Sequence, residues 1–378
     1  MYKKLTLKNG LRVVLVPQGG LAATVLILVE AGSEYETKRI NGLSHFLEHL
    51  MFKGTKNRPK SGTIANELDS LGAEYNAFTG GQYTGYYAKV QKEKIEKAVD
   101  LVSDLYLNPI FIPEEIEKER GVSLKRDDFQ TYRDQHYVAP KTLVVVAGSF
   151  DVKKVRGQIE SLFSDLPKRA KLAKKKTLEK QSKSEALVKF KESDQSHLVL
   201  GVRAFDIFDK RRYALQVLAN ILGGGMSSRL FHRVREDLGA AYYVRAESDL
   251  SLDHGCLAVS AGVDHAKIDL VITAVLEEMN RLKKEMVSET EMKKSKDHLI
   301  GNFILGLESS DELASYYGGQ EIITGKIKTP DEVIKNVKAV KPEEIQAVAK
   351  TFFVDRGLNL AVIGPYKSSE GFKKILKF

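Results

Sequence analysis

The stretch Gly42-Leu43-Ser44-His45-Phe46-Leu47-Glu48-His49-Leu50-Met51-Phe52 organises the rest of the chain. Its residues are mostly good helix formers, and in a helix His45 and His49 lie one turn apart on the same face. Two imidazoles placed in this way can chelate one metal ion. The carboxylate of Glu48 reaches the edge of that face, where it can accept a proton from a water molecule on the metal. The structural alternative is an amphipathic helix that carries two histidines by coincidence.

Composition limits the class of protein. The chain has 378 residues, enough for two domains, and its 43% hydrophobic and 29% charged content is typical of a soluble globular protein. It has no apolar run of membrane-spanning length and no apolar signal core at its start, so we expect a cytoplasmic protein with no membrane partner. The single cysteine, Cys256, excludes an intramolecular disulfide and a thiolate metal site. Its alternating apolar surroundings predict a core position.

The net charge of +9 comes mostly from one basic segment. Its cations, set against the single acid Glu179, are Lys168, Arg169, Lys171, Lys174, Lys175, Lys176, Lys180 and Lys183. Lysines without interleaved aromatic residues or glycines are typical of a solvated linker. We therefore expect no nucleic-acid partner.

The first half of the chain reads as strands and helices in alternation. Asn9-Gly10 predicts a hairpin turn, and Ala22 to Val29 reads as a buried strand. A helix from Thr63 is closed by Gly72. Residues 73–81 then predict a strand with a hairpin partner that follows it. The glycines near its end either leave room for an extended peptide at a sheet edge or form a flexible loop.

The second half repeats the pattern of the first. Ser196 to Val202 corresponds to the strand at Ala22 to Val29, and Leu358 to Gly364 resembles the strand that ends at Gly148. The sequence therefore predicts an α+β fold of two homologous domains, each a mostly antiparallel sheet packed with helices. The predicted division is 1–167, a lysine-rich linker at 168–184, and 185–378. The opening strands are offset by about 172 residues and the closing strands by about 216, so the first half is about 44 residues shorter than the second between these landmarks.

Where the first half has its two histidines, the second half has Gly223-Gly224-Gly225-Met226-Ser227-Ser228-Arg229-Leu230-Phe231. No Gly-Lys-Ser/Thr follows this run, so it is not a P-loop. Downstream, Arg235 and Tyr242 could both donate to a developing oxyanion. On residue type alone, a salt bridge and a packed ring are the favoured reading of that pair.

The motifs together point to one family. They are Gly42 to Thr55, Asn76-Ala77-Phe78-Thr79 with Thr84 and Tyr86, Glu117-Lys118-Glu119-Arg120, Gly224 to Phe231, and Arg235 through Tyr242. With these motifs the chain resembles the pitrilysin-type inverted-zincin metallopeptidases, whose signature is H-x-x-E-H. Within them it is similar to the two-domain group of bacterial processing peptidases and the mitochondrial processing peptidase β subunit.

The resemblance implies specific roles. His45 and His49 would ligate Zn²⁺ and Glu48 would be the general base, while Arg235 and Tyr242 would reach the scissile peptide. The residues implied to bind the peptide substrate by strand addition are Asn76, Ala77, Phe78 and Thr79. The two halves would close like a clamshell around a chamber that admits short or unfolded peptides. Pairing as a homodimer, or as a heterodimer with a related subunit, is a further expectation.

One departure concerns the third zinc ligand. The resemblance implies a ligand glutamate seven positions after Glu119, and Arg126 stands there. The segment that would carry the ligand coincides with the shortfall near 121–123, and is either deleted from the protein or not included in this sequence. Glu119 would then hydrogen bond to a ligand histidine or substitute as a ligand.

The sequence therefore favours a zinc-dependent endopeptidase that cleaves short or unfolded peptides inside a two-domain chamber. The alternative is a catalytically inactive family member that binds peptides or serves as a partner subunit, because a catalytic zinc needs three protein ligands. A chain that folds incompletely for want of the segment is a third possibility.

Overall fold

The computed structural model describes residues 2–118 and 124–378. Before the basic linker, the elements are β1 (Lys3–Thr6), β2 (Arg12–Pro17), β3 (Ala22–Val29), α1 (Leu43–Met51), α2 (Thr63–Ser70), β4 (Glu74–Thr79), β5 (Thr84–Gln91), α3 (Ile95–Leu107), α4 (Pro113–Lys118), α5 (Arg126–His136), β6 (Thr142–Gly148) and α6 (Val152–Leu162). After it come β7 (Glu185–Phe190), β8 (Ser196–Ala204), α7 (Arg212–Gly223), a π-helix (Phe231–Asp237), β9 (Ala241–Leu250), β10 (Gly255–Val263), α8 (Ile268–Lys284), α9 (Glu289–Leu305), α10 (Ser310–Thr324), α11 (Pro330–Ala339), α12 (Pro342–Phe352), β11 (Leu358–Gly364) and α13 (Glu370–Ile375).

The chain forms two compact units. Unit 1 consists of Met1–Lys175 and Leu305–Lys328, and unit 2 consists of Lys176–Ile304 and Thr329–Phe378. The sheet of unit 1 has the strand order β1-β2-β6-β3-β5-β4, and that of unit 2 has the order β7-β11-β8-β10-β9. In each sheet one pair is parallel, β2 with β6 and β7 with β11, and the other pairs are antiparallel. The α+β fold of two homologous domains is therefore confirmed.

Each sheet packs helices on one face, which we call its inner face. In unit 1 the inner face and the helices of the first part of the chain enclose a core that includes Val25, Leu47 and Phe129, all fully buried. In unit 2 the corresponding core lies between the sheet and α7, α8 and α12, and includes Leu200, Val259 and Phe353. Strand alternation sends every second side chain to the opposite, outer face.

The outer face of unit 1 is covered by α10, which follows α9 of unit 2 in the sequence. Ala314 and Tyr317 of α10 pack on Leu26, Leu28 and Val145 of β3 and β6. The first residue of α10, Ser310, is fixed by a 2.8 Å hydrogen bond between its hydroxyl and that of Thr24. Unit 1 is therefore a three-layer structure of helices, sheet and helix.

Several predicted details are confirmed. The turn at Asn9-Gly10 joins β1 and β2, and Gly72, at φ 64°, follows α2. The division at 167 and 185 remains a prediction, and it did not include the return of α10 to unit 1. The predicted shortfall near 121–123 lies outside the described residues. In the linker, Lys171 and Lys174 form ion pairs with Glu30 and Glu34, so part of the basic segment is held against unit 1.

Two further expectations can be compared with the structure. Cys256 is half-buried on β10, on the outer face of the second sheet, so the prediction of a core position was wrong. Side chains of β10 alternate between the two faces of the sheet as predicted, but Cys256 lies on the outer face and not on the face that packs on the core. Within the described part of the chain, none of the helices combines the length and the apolar character that crossing a bilayer requires.

Candidate functional site

Helix α1 is held at its start by the carboxylate of Glu36. The two carboxylate oxygens accept hydrogen bonds from the backbone N–H groups of Gly42 and Ser44, each at 2.7 Å. The first N–H groups of a helix have no partner within it, and negative charge at that end is stabilised by the helix dipole. Gly42, at φ 89°, provides the left-handed turn into the helix. Glu36 therefore fixes where α1 begins.

The two histidines of α1 face the same side of the helix. Their Nε2 atoms lie 3.2 Å apart, and their rings meet edge to face with centroids at 4.7 Å. Two nitrogens at about 2.0–2.1 Å from one tetrahedral zinc ion are expected about 3.3–3.4 Å apart. The side chains of His45 and His49 are exposed, so an ion can reach them. This pair of residues fits zinc by its donor atoms and by its spacing.

Glu48 points away from solvent and is 7% exposed. The hydroxyl of Thr79, the last residue of β4, donates a 2.5 Å hydrogen bond to Oε2 of this carboxylate. Glu48 also lies near the buried phenol of Tyr86. Burial, and to a smaller extent the charge of Glu48, raise the pKa of Tyr86, so this phenol stays protonated. The carboxylate is thus held in a defined position at the junction of α1 and the sheet edge.

A tyrosine behind α1 fixes the helix from its buried side. The hydroxyls of Tyr132 and Ser44 share a 2.9 Å hydrogen bond, and Tyr132 also donates to the carbonyl of Gly32 at 3.3 Å. Phe46 packs edge to face on Phe129 with ring centroids at 4.9 Å. Both contacts come from α5, which is more than 80 residues away in the sequence. No local sequence signal marks these partners.

Beneath this layer lies a buried pair of basic groups. Lys141 is fully buried, and its Nζ donates to Nδ1 of His136 at 2.9 Å and to the carbonyl of Glu30 at 3.1 Å. Burial lowers the pKa of Lys141 to about 8. Burial and the neighbouring lysine lower the pKa of His136 to about 4, so this imidazole is neutral and accepts the bond. His136 in turn packs on the ring of Tyr132 at 4.3 Å.

The predicted peptide-binding residues lie on β4, at one edge of the sheet. Along this strand Asn76 and Phe78 are exposed, while Ala77 and Thr79 are half-buried. An edge strand presents backbone N–H and C=O groups that are not paired within the sheet. Because Thr79 also contacts Glu48, this edge begins beside the metal-site helix.

Arg235 and Tyr242 lie in unit 2. Arg235 is in the π-helix, with its guanidinium carbon 5.1 Å from the centre of the Phe231 ring. Tyr242 is the second residue of β9 and is 59% exposed. Among the described residues no carboxylate pairs with Arg235. The salt bridge and packed ring favoured by residue type alone are therefore not observed.

The third metal ligand is not found in the described parts of the chain. Within residues 2–118 and 124–378, no further histidine, cysteine or carboxylate forms a three-membered ligand group with His45 and His49. Arg126, at the position where the resemblance implies the ligand, donates from Nε to the carbonyl of Phe111 at 3.1 Å. The predicted role of Glu119 falls outside the described residues. The described residues therefore provide two candidate zinc ligands, His45 and His49.

Comparison with known families assigns both halves of the chain. Residues 12–145 match the family described as "Insulinase (Peptidase family M16)", and residues 123–299 match "Peptidase M16 inactive domain". A Bacillus subtilis protein named as an uncharacterized zinc protease is 31% identical over 97% of this chain and 98% of its own length. A Rickettsia felis protein named in the same way is 31% identical over 95% of this chain and 96% of its own.

The fold is similar to solved structures. A structure described as a protease from Helicobacter pylori superposes with a TM-score of 0.90 at 22% identity, covering 97% of this chain and 99% of that one. A Pseudomonas fluorescens structure described as a peptidase M16 inactive domain gives a TM-score of 0.87 at 15% identity, with the same coverage. At these identities the likeness concerns the fold alone.

The alignment with the Bacillus relative has more positions than the number of residues that this chain contributes to it. It runs over 409 positions, whereas 97% of 378 residues is about 367. About 42 positions of the relative therefore have no counterpart in this chain.

Proposed function

The chain belongs to the insulinase family, peptidase family M16, and on this premise we propose that it is a zinc-dependent endopeptidase that cleaves short or unfolded peptides. The observation that supports this proposal best is the 3.2 Å separation of the His45 and His49 Nε2 atoms on the exposed side of α1. Beside them, the Glu48 carboxylate is buried and held by the Thr79 hydroxyl. Relatives named as zinc proteases support the same class of activity.

The proposed chemistry is hydrolysis of a peptide bond. His45 and His49 would hold a zinc ion, which would supply Lewis acidity and lower the pKa of water. Glu48 accepts the proton of the attacking water at Oε1, because Thr79 already donates to Oε2. The same carboxyl group then donates this proton to the leaving amine nitrogen. One water is consumed, and a carboxylic acid and an amine are released.

Substrate would bind through its backbone. We propose that an extended peptide pairs with β4 at residues Asn76 to Thr79, because this strand forms the edge of its sheet and ends at the residue that contacts Glu48. Main-chain pairing favours short or unfolded peptides, since a folded protein has few free strands to offer. Arg235 and Tyr242 are the proposed donors to the carbonyl oxygen.

A substitution at the proposed base tests the mechanism. Glu48→Gln removes the proton acceptor and keeps the shape, so it should lower kcat on a fluorogenic peptide by at least about a hundredfold and leave the bound zinc unchanged. The matched control is Glu93→Gln, which alters an exposed carboxylate two residues before α3 and should be fully active. Peptide cleavage retained by Glu48→Gln would exclude this role.

A second function is favoured by one observation, the absence of a third ligand among the described residues. Two imidazoles alone hold zinc weakly, and a family member of this kind could bind peptides, or a related subunit, without cleaving them. Metal analysis of the purified protein separates the two functions. One zinc per chain together with cleavage supports the enzyme, whereas peptide binding without zinc supports the binding protein.

A further inference from the structure

The two sheets correspond residue by residue on their outer faces. Leu26 pairs with Val145, which lies three residues before the glycine that ends β6. Val199 pairs with Ala361, which lies three residues before the glycine that ends β11. Val199 therefore corresponds to Leu26 and Ala361 to Val145, and by the same registers Gly201 corresponds to Leu28, Leu187 to Val14 and Glu185 to Arg12.

On unit 1 this face is sealed. Leu26, Leu28 and Val145 are at most 2% exposed beneath α10. The helix approaches them closely, since a Cβ on Gly318 would lie 2.9 Å from a methyl carbon of Leu28. Large side chains of the sheet thus face small residues of the helix. Near the last turn of α10, the guanidinium of Arg12 donates to the backbone carbonyl of Glu321 and forms an ion pair with its carboxylate.

On unit 2 the corresponding face is open. Leu187 is 71% exposed, Val199 is 46% exposed and Ile363 is 39% exposed. Leu187 and Val199 border a groove of about 590 Å³ that Gly201 and Ala361 also line. No described helix covers it as α10 covers the first sheet. Contiguous apolar surface of this kind on a sheet usually marks an interaction site.

Among the described residues of the first half, no helix corresponds to α10. In the second half, α9 is followed by α10 and α11 before α12, which ends six residues before β11. In the first half, α4 ends at Lys118, and α5, which likewise ends six residues before β6, begins at Arg126. Residues 119–125 are too few for a helix of 15 residues such as α10. The Bacillus relative has about 42 positions that this chain lacks.

The size and charge of the residues on the open face of unit 2 indicate which kind of helix would bind there. At two central positions its residues are smaller than those of unit 1, because Gly201 and Ala361 replace Leu28 and Val145. The occupant therefore needs larger apolar side chains there than Gly318, which faces Leu28 and Val145 in α10. Where unit 1 has Arg12, unit 2 has Glu185. Asp249 also lines the groove, as does Glu179, which forms an ion pair with Arg203. A complementary helix would therefore carry Lys or Arg in its last turn, where cations also suit the helix dipole.

We propose that the outer face of the second sheet is a docking site for an amphipathic helix of another polypeptide, a related subunit that carries the helix this chain lacks. The helix lies across β7, β11 and β8 with large apolar side chains over Gly201 and Ala361, and its basic last turn meets Glu185. Binding buries Leu187 and Val199. The inference concerns assembly and does not depend on peptidase activity.

The probe is a synthetic amphipathic peptide of 15 residues, the length of α10, with large apolar side chains on one face and lysines in its last turn, labelled with a fluorophore and titrated with the whole protein. We expect saturable anisotropy, and slower hydrogen exchange of the β7, β8 and β11 amides in the complex. Val199→Lys places a charge in the groove and should weaken binding at least tenfold. The control Leu270→Lys alters a residue of equal exposure on α8 and should bind as the unchanged protein does.

A charge reversal tests the polarity of the site. Glu185→Lys should weaken binding of the same peptide severalfold, and a peptide with its last-turn cations replaced by glutamate should prefer this variant. Absence of saturable binding, or binding that Val199→Lys leaves unchanged, would overturn the proposal. So would a concentration-dependent dimer in sedimentation that Val199→Lys abolishes, because the face would then belong to a second copy of this chain.

Discussion

Replacing Lys141 by methionine should change how the stability of unit 1 depends on alkaline pH. The amine of Lys141 is fully buried and donates hydrogen bonds to a neutral imidazole and a backbone carbonyl, and no carboxylate in the described part of the chain bonds to it directly. The cost of burying the charged amine outweighs the attraction of the nearby Glu30 carboxylate, and the pKa of Lys141 therefore falls to about 8 from 10.5. Methionine has a similar length and carries no charge at any pH.

The size of the effect follows from the two pKa values. Below pH 8 the amine is charged in the folded and the unfolded chain, and folding bears the whole cost of about 3.4 kcal/mol. As the pH rises through 8, the folded protein releases the proton before the unfolded chain does. The free energy of unfolding therefore rises with pH, by about 2 kcal/mol between pH 7 and pH 9.5. The Lys141→Met protein lacks this rise.

Urea unfolding followed by far-UV circular dichroism, at pH 7 and pH 9.5, measures the difference. The transition that the substitution displaces is that of unit 1. Subtracting the two proteins cancels the titration of groups that Lys141 does not contact, and His136 is neutral at both pH values. Lys38→Met, at an exposed lysine of the same unit, should give the same difference at both pH values. A Lys141→Met difference that also stays constant within about 0.5 kcal/mol would refute the reasoning, because the buried amine would then titrate normally.

Three further outcomes are expected. The pKa of His136 is held at about 4, so unit 1 should lose about 2 kcal/mol of stability when the pH falls to 5, and His136→Gln should remove this loss in the same urea series. Arg58→Met leaves the buried carboxylate of Asp104 without its ionic partner and should cost about 3 kcal/mol, against less than about 1 kcal/mol for the exposed Arg39→Met. Glu36→Gln weakens the N-terminal cap of α1 by about 1 kcal/mol, which hydrogen exchange should detect as faster opening of α1 while β6 stays protected.

Features set by neighbouring residues could be read from the sequence. Asn9-Gly10 predicts its turn because few other dipeptides adopt that backbone, and Gly72 predicts the end of α2 for a similar reason. His45 and His49 could be paired because a helix of any origin brings positions four apart together. The repeat of the two halves was visible in the strands alone, because buried strands have long runs of β-branched residues.

Contacts between distant segments could not be read in this way. Thr24 and Ser310 are 286 residues apart, and the pattern of α10 does not indicate which sheet it covers. Glu36 looks like any acid in a loop until the start of α1 is placed beside it. Tyr132 likewise has no mark in the sequence that links it to Ser44. Such pairings depend on the packing of the whole unit, which local propensity does not encode.

The position of α10 in the sequence determines when unit 1 can complete its folding during synthesis. Unit 1 receives its last layer only when Thr324 has been made, roughly 150 residues after the rest of the unit is complete at Lys175. At about 5–20 residues per second, the apolar side of its sheet stays uncovered on the ribosome for about 7–30 s. During that interval the nascent chain presents Leu26, Leu28 and Val145 to the surrounding solution. A fragment that stops at the linker would keep them uncovered permanently, and expressing the first unit alone should yield aggregates unless residues 305–328 are supplied with it.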